Sequence, residues 1–263
     1  IPLESARDLL AARMTPVTAA MTQPAEASLG RVAAEDIVST IDLPRAHNAA
    51  VDGYGVLAKT LADAPTTAFT IVGVARAGHP YEGVIGAGEA IEIYTGAIMP
   101  DGPDCVAMHE DCQRHGDQVV INKSLKPGSN MRPPGENLAK GEAVITKGQR
   151  ITAALIGQIA AAGHQDIAVQ QALSVAVLST GDEVIEAGNR LADGQIFDTN
   201  RPMLRALLAD PMLDVSDRGI VPDKLEALTA AYEEALATHD VVISSGGASD
   251  GIEDHTQAAM QAV

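Results

Sequence analysis

The sequence predicts a chain of α/β plus β class, with a mostly β region in the first half and an open parallel α/β sheet at the end. Three observations carry that prediction. The continuous apolar run Leu173-Ser174-Val175-Ala176-Val177-Leu178 reads as a strand buried on both faces. It opens an alternation of strand-like and helix-like segments in the order β-α-β-α-β. Upstream, short apolar runs spaced by roughly 15–25 residues and broken by Gly/Pro turns read as a small β region.

The elements follow in order. Leu3, Ala6, Leu9, Leu10, Met14 and Val17 stand at helical spacing, and Ser5 and Asp8 add N-terminal capping character. The pattern stops near Pro44. Phe69–Val74, Glu89–Tyr94 and Asp117–Ile121 then read as strands, and Ser129 to Gly141 as a loop rich in Pro, Gly and Asn. After the run at Leu173 comes the loop Ser179-Thr180-Gly181-Asp182-Glu183, and then a helix from about Thr199 to Ala209. A second strand is expected over Val215–Val221. The following helix, Asp223 to Thr238, carries Leu225, Leu228, Tyr232, Ala235 and Leu236 on one face. His239–Ser245 is the third strand, ending in the turn Gly246-Gly247.

Composition narrows the function classes. The 263 residues carry 18 Lys+Arg against 35 Asp+Glu, a formal charge of −17 that repels polyanions such as nucleic acid and anionic lipid. With no Trp and 2% aromatic residues, few rings are available for base stacking. No apolar run reaches the ~18 residues of a membrane span. Two cysteines make no disulfide scaffold, and there is no basic-then-apolar leader, so a cytoplasmic location is the default expectation. The chain opens at Ile1 rather than Met, which leaves any upstream segment unread.

In an open parallel sheet, ligands sit outside the carboxyl ends of the strands. Here those ends carry Asp182 and Glu183, Asp223, and Asp250, Glu253 and Asp254. With the hydroxyls of Thr180, Ser244, Ser245 and Ser249 they suit a hard cation such as Mg²⁺ that carries phosphate oxygens. Gly246-Gly247 offers backbone N–H groups to an anion. Solvated acidic loops are the alternative. Cys105, His109, Cys112 and His115 lie close enough to raise a zinc reading, but the C-x3-H-x2-C-x2-H spacing matches no paired-knuckle pattern, and a packed strand with free thiols is preferred. The P-loop, G-x-G-x-x-G, G-x-S-x-G and H-E-x-x-H motifs are absent.

Several local motifs, each weak alone, share one order and spacing. They are Leu43-Pro44…Asn48…Asp52-Gly53-Tyr54, Thr95-Gly96-Ala97…Pro100…Gly102…Asp104…Val106…Glu110, Gly135-Glu136-Asn137, Ser179-Thr180-Gly181-Asp182-Glu183, Asp198-Thr199-Asn200 and Ser245-Gly246-Gly247-Ala248-Ser249. On these residues the chain resembles the molybdopterin molybdenumtransferases, the MoeA and gephyrin E-domain family, from near residue 1 to residue 263.

The resemblance implies an elongated homodimer. Each protomer would hold a helical linker domain (1–44 with 141–170), a β-rich domain (45–140), a three-layer molybdopterin-binding α/β domain (171–263, incomplete) and a C-terminal β-barrel absent from this chain. It implies insertion of molybdate into adenylylated molybdopterin with Mg²⁺-dependent release of AMP. An upstream molybdopterin adenylyltransferase and molybdoenzyme acceptors would be partners. Carried over by position, Asp52, Thr95, Glu183, Asp223 and Asp254 would be catalytic. Thr180, Gly181, Asp182, Asn200, Ser245, Gly246, Gly247 and Ser249 would bind substrate. Asp182, Glu183, Asp223 and Asp254 would hold Mg²⁺, which neutralises and polarises the pyrophosphate linkage, while the substrate's soft dithiolene sulfurs capture molybdenum.

The chain departs from the family at His47 and Asn137, where Asp is common, at Ala49 and Val51, and in the turn Gly246-Gly247-Ala248-Ser249-Asp250-Gly251. It ends at Val263, within a helix expected after Asp254, so it is expected to be roughly the first two-thirds of a longer protein, because an unfinished sheet would leave apolar surface bare. Two rival readings stay open: a molybdopterin-binding scaffold or paralogue without turnover, and a hydrolase of a related adenylylated or pterin compound.

Overall fold

Two sheets of different kind organise the chain, one in each of two structural units. The computed structural model describes residues 1–263 except 17–18, 63–66, 247–254 and the side chain of residue 62. One unit comprises Ile37–Val144 with Gly157–Gln165, the other Ile1–Asp36, Ile145–Ile156 and Asp166–Val263.

The first of these is built on a six-stranded mixed sheet. Its spatial order is Cys105–Met108, Gly53–Val56, Glu89–Ile93, Thr67–Ala75, Gln118–Ile121 and Cys112–His115. Only Thr67–Ala75 and Glu89–Ile93 pair in parallel. Strand alternation splits the apolar side chains between two cores. Tyr54, Val56, Phe69, Ala90, Cys105 and Ala107 fill one. Ile91, Ile93, Val106 and Ala75 fill the other. Both faces being covered, Gly53–Val56 is buried at every position. Gly53 has no room for a side chain there, since a Cβ would stand 1.9 Å from the Ala107 carbonyl oxygen. Cys105 lies in this buried sheet as a free thiol, and burial pushes its pKa up to about 12.

The second unit opens with the helix Leu3–Arg13 and an antiparallel pair, Ala20–Pro24 with Asp166–Gln170. The helix ends at Arg13, short of the expected Met14, while Val17 lies outside the described residues. Met14 is already extended, and Pro16 disfavours helical backbone at Thr15. No side chain caps its start, so the capping expected from Ser5 and Asp8 does not form.

From Leu173 the expected β-α-β-α-β succession appears. The strands are Leu173–Thr180, Leu213–Val221 and Val241–Ser245, separated by the helices Asn200–Leu207 and Leu225–Leu236 and followed by Thr256–Ala262. All pairings are parallel, and the first strand lies between the second and third. That central strand is buried from Val175 to Thr180, as its unbroken apolar run requires. The chain leaves it to one side and returns to the other, so right-handed crossovers place the two connecting helices on opposite faces. On one face Leu178 packs with Leu228, Tyr232 and Ala259. Its neighbour Ser179 points the other way, to Asp198 just ahead of Asn200–Leu207. Leu225 and Leu236, expected on the buried face of their helix, are exposed at its two ends.

Candidate functional site

Because the first strand lies between the other two, the sheet has a topological switch point at the carboxyl ends of its first and third strands, the place where such sheets bind ligands. A pocket of about 130 Å³ opens there, lined by Ser179, Thr180, Glu183, Asn200, Ser245 and Gly246, with Val184 and the segment Ile196–Thr199 as its other wall. Five expected site residues therefore meet: Thr180, Glu183, Asn200, Ser245 and Gly246. Parallel register sets Ser179 beside Ser245, and Thr180 Oγ1 lies 3.5 Å from the Ser245 carbonyl oxygen.

Glycine is required on both sides of this junction. Gly181 has φ +135° and Gly246 φ +110°, backbone that residues with a Cβ rarely adopt. A Cβ on Gly246 would stand 2.3 Å from Thr180 Oγ1 and 2.8 Å from its carbonyl oxygen. A Cβ on Gly181 would meet Glu183 Oε2 at 2.7 Å. At both positions the space of a side chain is taken by Thr180, Glu183 or Val184, so glycine lets the two strand ends close on each other.

The remaining acids are arranged differently. Asp182 and Asp223 do not line the pocket. They join each other, Asp182 Oδ1 accepting the Asp223 backbone N–H at 3.1 Å. Carboxylate oxygens at adjoining strand ends are the right donor chemistry for Mg²⁺. Among the described residues, however, no three His, Cys, Asp or Glu converge on an ion position. Gly247, Ser249, Asp250, Glu253 and Asp254 lie outside the described residues.

Sequence reasoning assigned no role to a buried ionic cluster behind this wall. Arg201 pairs with Asp198, Asp217 and Glu186. Burial pushes the Asp198 carboxyl up, but hydrogen bonds from Arg201 and Ser179 outweigh it and hold the group below its ordinary value. The available signal was the spacing Asp198…Arg201, which puts an acid three residues before a base at a helix start.

In the β-rich unit, Asp52 and Thr95 meet directly. Asp52 Oδ1 accepts both the backbone N–H and the hydroxyl of Thr95, each at 2.7 Å. Those two bonds hold the Asp52 carboxyl below its ordinary value. Thr95 also borders a cavity of about 620 Å³, with Asn48, Gly96, Arg132, Asn137 and Gln158 as its other polar or glycine positions. No carboxylate is among its lining residues. Asn137, where the resemblance expects Asp, stands in that wall, whereas His47 is exposed beside a different cleft. Asn48 donates from Nδ2 to the Gly96 carbonyl at 2.7 Å. Its buried Oδ1 has no hydrogen-bond partner among the described residues, an acceptor left for a ligand or water.

Comparison with known proteins places the chain in a family. A family profile described as "MoeA N-terminal region (domain I and II)" matches residues 1–163. A second, described as "Probable molybdopterin binding domain", matches residues 176–263. A molybdopterin molybdenumtransferase of Haemophilus influenzae is 37% identical over 234 residues, covering 89% of this chain and 57% of that protein. One from Staphylococcus aureus is 34% identical over 247 residues, covering 93% and 59%. A crystal structure of a molybdopterin biosynthesis MoeA protein from Pyrococcus horikosii superimposes with TM-score 0.88 at 33% identity, over 100% of this chain and 66% of that one. The chain thus spans less than two-thirds of the length of these relatives.

Proposed function

We propose, from the premise that this chain belongs to the MoeA family, that it serves molybdenum-cofactor synthesis as a molybdopterin molybdotransferase, joining molybdate to adenylylated molybdopterin with release of AMP. The observation that carries the proposal is the switch-point pocket. It lies in the segment matched by the molybdopterin-binding profile, and its lining of Ser179, Thr180, Asn200, Ser245 and Gly246 offers polar groups to a phosphate-bearing ligand.

In this reading Gly181 gives the turn its backbone shape, and the hydroxyls of Thr180 and Ser245 with the amide of Gly246 hold phosphate oxygens, as backbone N–H groups at a sheet-end turn do. Gly247 and Ser249, outside the described residues, are assigned to the same ligand by the family resemblance alone. Asn200 orients the ligand from the opposite wall. Glu183 bears on the reacting phosphates. Asp182, Glu183, Asp223 and Asp254 would hold Mg²⁺, whose contribution when bound is to neutralise and polarise the pyrophosphate linkage. Their oxygen chemistry suits that ion, and the binding described here rests on the protein's own groups. Molybdate is a substrate, and the sulfurs that take it belong to the pterin.

The proposal extends to a homodimer in which Asp52 and Thr95 serve the reaction of the second copy. It includes a three-domain division at residues 1–44 with 141–170, 45–140 and 171–263. It also includes a cytoplasmic location, an upstream adenylyltransferase as substrate donor and molybdoenzymes as acceptors. Among the described residues no helix is long and apolar enough to cross a membrane.

The test is AMP release by the full-length protein given adenylylated molybdopterin and molybdate. The expected result is turnover that stops in chelator and falls about a hundredfold or more in Glu183→Gln. Tight pterin binding without AMP release in the wild type would instead favour the non-catalytic scaffold. Release of AMP without transfer of molybdenum would favour a hydrolase.

A further inference from the structure

We propose that Arg201 is a positioning residue whose guanidinium holds the 184–200 segment in place as the outer wall of the switch-point pocket, so that the pocket receives its phosphate-bearing ligand in a fixed geometry. This rests on the function proposed above for that pocket.

The wall needs such a device because beyond the half-buried Val184 and Ile185 it buries no apolar side chain. Between Glu186 and Asn200 the only buried residue is Asp198. Regular structure there is limited to the two-residue strands Val184–Ile185 and Ile196–Phe197, which pair with each other. Ile196 and Phe197 are both exposed. Loops lacking buried apolar contacts open at low free energy, yet this one supplies more than half of the pocket lining.

Two side chains tie that loop to the sheet, Ser179 by one hydrogen bond to Asp198 and Arg201 by several. Arg201, itself 7% exposed, donates from Nε to Asp198 Oδ2 at 2.8 Å and from Nη2 to Glu186 Oε1 at 2.6 Å. Both acceptors belong to the wall segment. Its Nη1 reaches Asp217 Oδ1 at 2.5 Å, on the strand Leu213–Val221. Asp217 is held in turn by Arg205 Nη1 at 2.7 Å and by the Gly219 backbone N–H at 2.9 Å. At the pocket, Asp198 Oδ1 accepts the Ser179 hydroxyl at 3.1 Å and the Arg201 backbone N–H at 3.1 Å. Three carboxylates facing two guanidinium groups thus run from the strand Leu213–Val221, through Arg201, to a serine that lines the pocket.

The planar fork matters as much as the charge, because three acceptors lie in three directions around it. A lysine keeps the charge but places a single ammonium, which cannot reproduce that fork. Removing the charge altogether would strand Asp198 in a buried position, so neutral replacements are poor tests. Glu186 supplies a milder probe, because its side chain is 58% exposed and forms only the outer tether.

The experiment compares wild type, Arg201→Lys and Glu186→Gln in the full-length protein by amide hydrogen exchange and by steady-state kinetics with adenylylated molybdopterin. In Arg201→Lys, exchange over 184–200 is expected to accelerate about tenfold or more while 173–180 keeps its protection. KM is expected to rise about tenfold with kcat changed less than about threefold. Glu186→Gln should move both readouts in the same direction by less. Wild-type exchange over 184–200 in a folded Arg201→Lys protein would overturn the proposal, as would lowered thermal stability with an unchanged KM. If Arg201→Lys does not fold, Glu186→Gln decides by the same two measurements. If the wild type neither binds nor turns over the ligand, the functional reading fails separately. The exchange data alone then support or overturn the positioning claim.

Discussion

Gly246 is the residue on which the pocket depends most narrowly. At φ +110°, with Thr180 only 2.3 Å from where a Cβ would stand, Gly246→Ala must push the strand ends apart or leave the left-handed region. We predict a folded variant whose affinity for adenylylated molybdopterin falls at least about tenfold, read by titration calorimetry. Thr95 is a second residue-scale test. Thr95→Val removes the hydroxyl bond to Asp52 and keeps the backbone one. The Asp52 carboxyl should move up toward its ordinary value, as NMR titration of that side chain would show. Unchanged titration would mean that the backbone bond alone holds it down. The grouping of Thr180, Glu183, Asn200, Ser245 and Gly246 was legible from sequence, because parallel strands deliver their C-terminal neighbours to one edge whatever the loops do. Arg201 was not. Its partners lie 3, 15 and 16 residues away, and only the folded return of the strand Leu213–Val221 brings the last of them into reach.

At the scale of elements, the helix Leu225–Leu236 shows what periodicity reads and what it misses. Leu228, Tyr232 and Ala235 are buried, as their spacing predicts. Leu225 and Leu236 share that face but stand at the helix ends, 42% and 49% exposed. Leu228→Ala is therefore expected to cost about 2–5 kcal/mol in chemical denaturation. Leu236→Ala should change stability by no more than about 0.5 kcal/mol. Equal losses would contradict the placement of this helix. In the β-rich unit the strands at Thr67–Ala75, Glu89–Ile93, Cys105–Met108 and Gln118–Ile121 were legible, but Gly53–Val56 reads as a glycine turn and is instead a buried strand, and Cys112–His115 carries too little apolar alternation to be read. The unit's pairing order was not legible, because register between distant strands is decided by which side chains fill the two cores. The same holds for the cavity beside Thr95, whose lining is drawn from stretches far apart between Leu43 and Ala161.

For the molecule as a whole, charge governs the response to pH. The net charge of −17 disfavours compaction at neutral pH, yet five Asp carboxyls among the described residues are held below their ordinary values by specific bonds. In Asp217, burial pushes the carboxyl up, and the Gly219 backbone bond and Arg201 outweigh it. In Asp240, hydrogen bonds from Ser174 lower the value. Folded values depressed below the ordinary 3.8 mean a stabilising contribution that is complete above that pH and is lost as pH falls through the folded values. Melting temperature should therefore hold its contribution from these groups down to about pH 4 and drop below it, with a shallower drop in Asp240→Asn. The acidic balance excludes general polyanion binding, while the proposed ligands are themselves anions. Under the proposed function the two are reconciled locally, by backbone and hydroxyl donors at one sheet edge and by a divalent cation that the neighbouring acids would hold. The measurement that tests this most directly is amide hydrogen exchange of the full-length protein with and without adenylylated molybdopterin and Mg²⁺. The account predicts ligand protection over 179–184, 196–200 and 244–246 that is lost in chelator. Protection elsewhere, or undiminished by chelator, would contradict it.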